Sequence, residues 1–388
     1  MREHLVRFCK SDWGVMLLLA VGWQVLMTLL GFALARTFGA GNNVANLASH
    51  TLGWDGGWYM SIINFGYAGS DPQAQVFYPL WPFTIDALLT LTRGVIDVAV
   101  IGLAVNTVAL WLALVALLRI GKHFVGKLRW WAVGLFLVSP AAIYLHMFYT
   151  EAMFCAIAFW AYWFALQRRW GYMALLLALL TSVRLPAILF IGLCALEFWR
   201  AHGWNIRKAL NRQVLWFLLT PAGVLAYALY LYASTGDALG MMHGYHAGHD
   251  WSYHHFNPNV VGTMLMAVAK CGYVVLHFAN LTPQNVVQQF LPVAALGLLL
   301  AASLYALRED RLRPLGIFGL ASLVFYTLND NVVSVHRYVL PCLVLYVAAA
   351  VLIAKKPRWA VAGYGALYVS ALLQVYLVAL FVSGNFAG

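Results

Sequence analysis

The chain has 388 residues, of which 63% are hydrophobic and 10% charged, with a formal net charge of +11. Soluble domains carry about 25% charged residues, so this composition, with a mean hydropathy of +0.78, excludes a water-soluble domain. The apolar runs are continuous rather than alternating with period two, which excludes a membrane barrel. In that setting the positive charge reports topology and gives no case for nucleic acid as a partner.

Composition therefore predicts one all-α polytopic integral membrane bundle spanning 1–388. The start, Met1-Arg2-Glu3-His4-Leu5, has no small-residue cleavage site after its apolar run, so the first span is expected to be retained. Cys9, Cys155, Cys194, Cys271 and Cys342 are scattered without CxxC spacing, and those within apolar runs read as small buried thiols.

Most of the 24 Lys and Arg fall into six clusters between the runs. These are Arg2/Arg7/Lys10, Arg119/Lys122/Lys127/Arg129, Arg168/Arg169, Arg200/Arg207/Lys208/Arg212, Arg308/Arg311/Arg313 and Lys355/Lys356/Arg358. The positive-inside rule places all six in the cytoplasm, so an even number of crossings must separate each from the next. Residues 13–36 leave and 95–118 return. Between them, 37–94 forms a first extracytoplasmic loop, in which 76–92 lies as an interfacial helix behind Pro79 and Pro82. Residues 129–147 and 150–168 make an out-and-back pair. Residues 170–199 hold two short crossings broken near Arg184-Leu185-Pro186, or one re-entrant pair. Then come 213–234, a second large extracytoplasmic loop at 235–285 carrying an interfacial helix at 259–278, and spans at 286–307, 314–329, 336–354 and 359–382. The expected count is about eleven spans. Asp55, Asp71, Asp86, Asp97, Glu151, Asp237, Asp250 and Asp330 all fall toward the outer face.

The polar motifs share that face. Asp55 sits in Trp54-Asp55-Gly56-Gly57-Trp58-Tyr59, which reads either as a turn or as a general base beside aromatic faces for a sugar or lipid. Trp54, Trp58, Tyr59 and, downstream, Tyr78 are the expected substrate surfaces. Glu151 opens an apolar helix, where an acid either serves the helix dipole or binds substrate. Arg184, far from any basic cluster and just before Pro186, reads as a ligand for phosphate or a partner for Glu151 or Asp55. His336-Arg337-Tyr338 opens a span and suits oxyanion recognition or interfacial anchoring. The loop around Asp237 holds His243, His246, His249, His254 and His255. The histidine spacing would permit a metal, but Gly240, Gly244 and Gly248 argue against the helix that would align it. Substrate contact or a lid is the stronger reading there, and no metal or other cofactor is assigned. Asn42, Asn106 and Asn257 carry no motif.

In chain order these motifs resemble the PIG-V-type mannosyltransferases of the GT-C superfamily. The residues that carry the resemblance are Trp54-Asp55-Gly56 with Tyr59, Gly66-Tyr67, Phe77-Tyr78-Pro79-Leu80-Trp81-Pro82 and Ser139-Pro140-Ala141. Tyr149-Thr150-Glu151-Ala152-Met153-Phe154, Arg184, Gly236-Asp237 and His336-Arg337-Tyr338 with Pro341 follow. Where the family often has Arg-Ser-Asn-Gly, this chain has Arg184-Leu185-Pro186-Ala187, so only the arginine carries over. The resemblance implies a GT-C-like bundle of a compact bacterial type, in the inner membrane. Its catalytic acid, Asp55, would stand in the first outer loop, with Glu151 and Asp237 as substrate contacts and Arg184, His336, Arg337 and Tyr338 on the donor phosphate. The implied donor is a polyprenyl- or dolichyl-phosphate-linked sugar, mannose first. The partners would be that lipid-linked donor, a glycan or glycolipid acceptor and membrane lipids. A transporter or flippase for a lipid-linked sugar is the alternative, although its usual paired repeats with matching broken helices are not evident.

Overall fold

The computed structural model describes residues 11–38, 46–247, 255–277 and 282–387. The first basic cluster, Cys9, Asn42, His249, Asp250 and His254 lie outside them. The protein is 78% helical, and among the described residues the one β pairing is an isolated bridge between Phe256 and Asn329. Among the described residues, five segments are long and apolar enough to cross a membrane: Asp12–Phe38, Val98–Leu137, Arg212–Thr235, Pro283–Leu307 and Trp359–Val382. With shorter apolar helices packed among them, they make an all-α polytopic membrane protein.

Helix α1 (Asp12–Phe38) is followed, within 37–94, by a 3-10 turn (Ser49–Thr51), α2 (Asp55–Gly69), a second 3-10 turn (Pro72–Val76) and α3 (Leu80–Leu91). At 1.5 Å per residue α3 is about 18 Å long, too short for a ~30 Å hydrocarbon core. Gly66 interrupts α2 at φ +66°, a left-handed conformation that glycine adopts without steric cost. The next residue, Tyr67, donates its hydroxyl to the Phe77 carbonyl at 2.5 Å and folds the loop back on itself. Helix α4 (Val98–Val125) packs against α1, and Trp111 Nε1 donates to the Trp13 carbonyl at 2.9 Å.

Several expected spans are built from two pieces, and proline marks most of the breaks. A proline lacks the N–H that a helix needs and clashes with the preceding turn. The 129–147 run splits into α5 (Trp130–Leu137) and a 3-10 stretch that starts at Pro140 and ends at Leu145. Helix α6 (Glu151–Leu166) follows as the buried centre of the bundle. Then α7 (Trp170–Leu180) and α8 (Ala187–Ala201) flank the expected break at Arg184-Leu185-Pro186. The 213–234 run is a 3-10 stretch (Arg212–Leu219) joined through Pro221 to α9 (Ala222–Thr235). After α10 (Val260–Leu276), a π-helical turn (Val286–Phe290) leads into α11 (Leu291–Leu307), with α12 (Arg313–Thr327) next. Pro341 separates the single turn α13 (Val335–Tyr338) from α14 (Leu343–Lys355), and α15 (Trp359–Val382) completes the bundle. Broken helices free backbone groups, which membranes tolerate only where they line a cavity or are buried in protein.

Basic residues from distant clusters meet at one end of the bundle. Arg129 pairs with Asp12 at 3.0 Å. Arg119 lies against the rings of Trp13 and Trp160, at 5.2 and 5.0 Å. Arg311 Nη2 donates to the His123 carbonyl at 3.1 Å, and Lys355 bonds Glu309 at 2.5 Å. On α4, Gly102 lies directly under the Phe148 ring, and an added methyl would overlap it. We expect Gly102→Ala to lower stability by about 1–3 kcal/mol through overpacking, outweighing the gain in helix propensity of about 1 kcal/mol. A melting temperature in detergent that stays level or rises would contradict this packing.

Candidate active site

Four chain breaks bring the charged residues together. Asp55 is the first residue of α2, Glu151 the first of α6, Arg184 lies between α7 and α8, and Arg337 is on α13. Arg337 joins the acids: Nη2 donates to Asp55 Oδ2 at 2.6 Å and Nε to Glu151 Oε1 at 2.5 Å. Arg184 Nη1 donates to the same Glu151 oxygen. Two acids and two arginines thus form a neutral network. Its members differ in access, since the side chains of Glu151 and Arg337 are 1% and 4% exposed, whereas Asp55 is 29% and Arg184 22% exposed. Glu151 Oε2 is buried without a hydrogen-bond partner among the described residues.

Aromatic faces surround this network. The Arg337 guanidinium lies 4.5 Å from the Tyr149 ring centre, 4.9 Å from Tyr144 and 5.9 Å from Tyr338, while Arg184 lies 5.7 Å from Tyr338. Cation–π contact stabilises a charge that has left water. The backbone before Asp55 is strained: Trp54 holds φ +56° and ψ −119° although it is not glycine. Ser334, before α13, holds φ +66°. Such conformations cost about 1–3 kcal/mol each and persist where surrounding structure enforces them. Asp55 accordingly begins a helix, where an acid is favoured by the dipole, and the strain of the turn falls on Trp54. The Asp55 N–H donates to the Tyr149 hydroxyl oxygen at 3.2 Å.

The other expected site residues divide. Tyr59 is buried and close enough to Arg184, Asp55 and Glu151 to feel their charges, and burial raises its hydroxyl above the ordinary tyrosine range. Trp58 stacks on Phe77 at 5.9 Å. Tyr78 is buried against Tyr227 at 5.2 Å. Trp54 stays half exposed, edge-on to Phe386 at 5.8 Å. His336 stands apart from its neighbour Arg337, with Nε2 hydrogen-bonded to the Ala387 carbonyl at 3.1 Å. Asp237 also lies outside the charged network. It pairs with His243 Nδ1 at 2.7 Å in an exposed turn, and that hydrogen bond lowers its carboxyl pKa. The glycines of this loop do not prevent helix formation, since Gly240–His243 forms one helical turn and Gly244–His246 a 3-10 turn. Gly240 is pressed against the Gln75 side chain and Gly244 against Val76. The small residues are therefore needed for the approach of this loop to the 72–76 turn.

Sequence reasoning missed Tyr144, Tyr149 and Tyr245 as parts of the site. Tyr245 lies near enough to Tyr338, Arg184 and Asp55 to feel their charges, and burial pushes its hydroxyl up to about 12. Tyr149 was legible as the residue two before Glu151. Tyr144 and Tyr245 lay among many tyrosines without a distinguishing pattern.

Fold and site together define a polytopic membrane protein with a buried acid–arginine centre opening on a partly exposed carboxylate. The family model described as Mannosyltransferase (PIG-V) matches residues 27–234, and the chain belongs to that family. It is thus a glycosyltransferase of the mannosyltransferase type. The match contains Asp55, Glu151 and Arg184, and the structure adds Arg337 from beyond it. No curated protein matches the chain.

Proposed function

We propose that the protein transfers mannose from a polyprenyl-phosphate donor to a glycan or glycolipid acceptor, with inversion, on the extracytoplasmic face of a bacterial inner membrane. The observation that carries this reading is the unequal exposure within one charge network. Asp55, the accessible acid, is fixed by Arg337 to an inaccessible one. A general base must be ionised and within reach of the proton it takes, and Arg337 supplies the counter-charge beside it. The acceptor hydroxyl gives its proton to Asp55 as its oxygen bonds the sugar's anomeric carbon. The anomeric C–O bond to phosphate breaks, and its electron pair leaves with the polyprenyl phosphate. Arg184, the more exposed arginine, meets the charge that grows on the departing phosphate. Buried Arg337 holds Asp55 and Glu151 in register, with Tyr338 packed beside both arginines. His336 supports α13 from behind.

The GT-C-like reading of the bundle rests on its broken spans and the family's chemistry. The assignment of the outer face is supported by the gathering of basic residues at one end of the bundle. Purified protein in liposomes, given radiolabelled polyprenyl-phosphate mannose and acceptor extract, should release polyprenyl phosphate and form a labelled covalent product. Movement of the labelled lipid between leaflets without such a product would replace this reading with that of a flippase.

A further inference from the structure

Asp55 and the arginine that fixes it, Arg337, each have a chain neighbour held by the segment that follows α15. Trp54, just before Asp55, meets the Phe386 ring edge-on at 5.8 Å. His336, just before Arg337, has its Nε2 3.1 Å from the Ala387 carbonyl. A carbonyl only accepts, so His336 Nε2 carries the hydrogen and donates it. Nδ1 of the same ring is buried without a hydrogen-bond partner among the described residues, so the bond to Ala387 is what orients the ring.

The sequence turns the chain toward these two residues. Just past α15, Gly384 adopts φ +75°, a left-handed conformation open to glycine without steric cost. The Gly384 N–H donates to the Phe381 carbonyl at 3.2 Å and the Asn385 N–H to Leu380 at 2.9 Å, which closes the helix end. Before the turn, Phe381 presses against Gly53, where an added Cβ would lie 3.1 Å from its ring. Phe381 also meets the Tyr149 ring at 6.0 Å, and the Tyr149 hydroxyl accepts from the Asp55 N–H. We propose that Phe381 to Ala387 form a clasp for the transfer reaction: Phe386 and His336 are positioning residues that act through Trp54 and α13 to hold Asp55 on Arg337.

Both gripped elements need support from outside themselves. Trp54 keeps its strained φ of +56° only where surrounding structure enforces it. Helix α13 is a single turn of 4 residues, entered through Ser334 at φ +66°. A helix so short does not hold its shape alone, because nucleation costs more than one turn returns. Arg337 Nη2 stands 2.6 Å from Asp55 Oδ2, so a small shift of either backbone would misplace the carboxylate. The inference rests on the reading of Asp55 as the base.

The test measures kcat, donor and acceptor KM and melting temperature of the purified enzyme for Phe386→Ala, Phe386→Tyr, His336→Leu and His336→Gln. Phe386→Ala is repeated in the Asp55→Asn background. Tyrosine keeps an aromatic ring, and glutamine keeps an N–H donor for the Ala387 carbonyl. Phe386→Ala and His336→Leu should lower kcat about 10- to 100-fold with both KM values little changed, as expected for a misplaced reacting group. Phe386→Tyr and His336→Gln should stay within a few-fold of wild type. In Asp55→Asn, Phe386→Ala should cost almost nothing further, since both changes act on one group. Wild-type kcat in Phe386→Ala would overturn the proposal, and so would an undiminished further fall in the Asp55→Asn background. A raised acceptor KM in Phe386→Ala would overturn it by making that ring a sugar surface. A raised donor KM in His336→Leu would do so by making the histidine a phosphate ligand. Phe386 is half-buried, so Phe386→Ala carries the test even where His336→Leu does not fold. Unfolding of Phe386→Ala itself would reduce the segment to a structural contact and overturn the clasp. Failure of the unsubstituted enzyme to transfer, or near-normal transfer by Asp55→Asn, would instead sink the donor and base assignments, and neither result needs a clasp variant to be recognised.

Discussion

Asp55→Asn should lower kcat for transfer by about 10²- to 10⁴-fold, the usual contribution of a general base, while leaving the protein folded and donor KM nearly unchanged. Asparagine has the same shape and can still accept from Arg337, but it cannot take the acceptor's proton. Asp55 is also at the rim of the network, 29% exposed, so neutralising it leaves the more buried pairing of Glu151 with both arginines in place. Rates measured at saturating acceptor, together with a melting curve, separate the outcomes. Near-normal kcat would remove Asp55 as the base. Loss of the folded protein would mean that the acid is structural.

Glu151→Gln should behave in the opposite manner, failing first as a fold. The Glu151 oxygen accepts from Arg337 and from Arg184, and its side chain is 1% exposed. A neutral amide at this position would leave two arginines with one carboxylate, Asp55, which bonds Arg337 alone, and breaking a buried ion pair from one side costs about 3–5 kcal/mol. The substitution is therefore expected to lower the unfolding midpoint sharply in detergent. Replacing Glu151 and Arg184 together with apolar residues of similar volume should restore much of that stability, because the uncompensated charge is gone. It should not restore transfer, since the phosphate ligand goes with it. A Glu151→Gln enzyme with an unshifted midpoint would contradict the network described here.

Much of the fold could be read from the chain because bilayer constraints are written into local composition. Apolar run length, basic clusters and prolines located most helices, and the break at Arg184-Leu185-Pro186 fell where expected. What local composition does not carry is the pairing of charges far apart in sequence. Arg337 reaches Glu151 across 186 positions and Asp55 across 282. Its neighbour His336 looked equivalent, yet one step along a helical turn points it at the Ala387 carbonyl instead. Asp237 carried an acid of the right type, and a histidine six residues on claimed it locally. Strain at Trp54 was hidden because the flanking glycines seemed sufficient to make the turn.

The anomeric configuration of the product tests the central claim most directly. A single displacement with Asp55 as base must invert the sugar's anomeric centre, because attack and departure occur on opposite faces. NMR of the product formed from a polyprenyl-phosphate mannose of defined anomer, read through the one-bond carbon–hydrogen coupling at the anomeric carbon, should show the opposite configuration. Retention of the donor's configuration would contradict this mechanism and require a different role for Asp55.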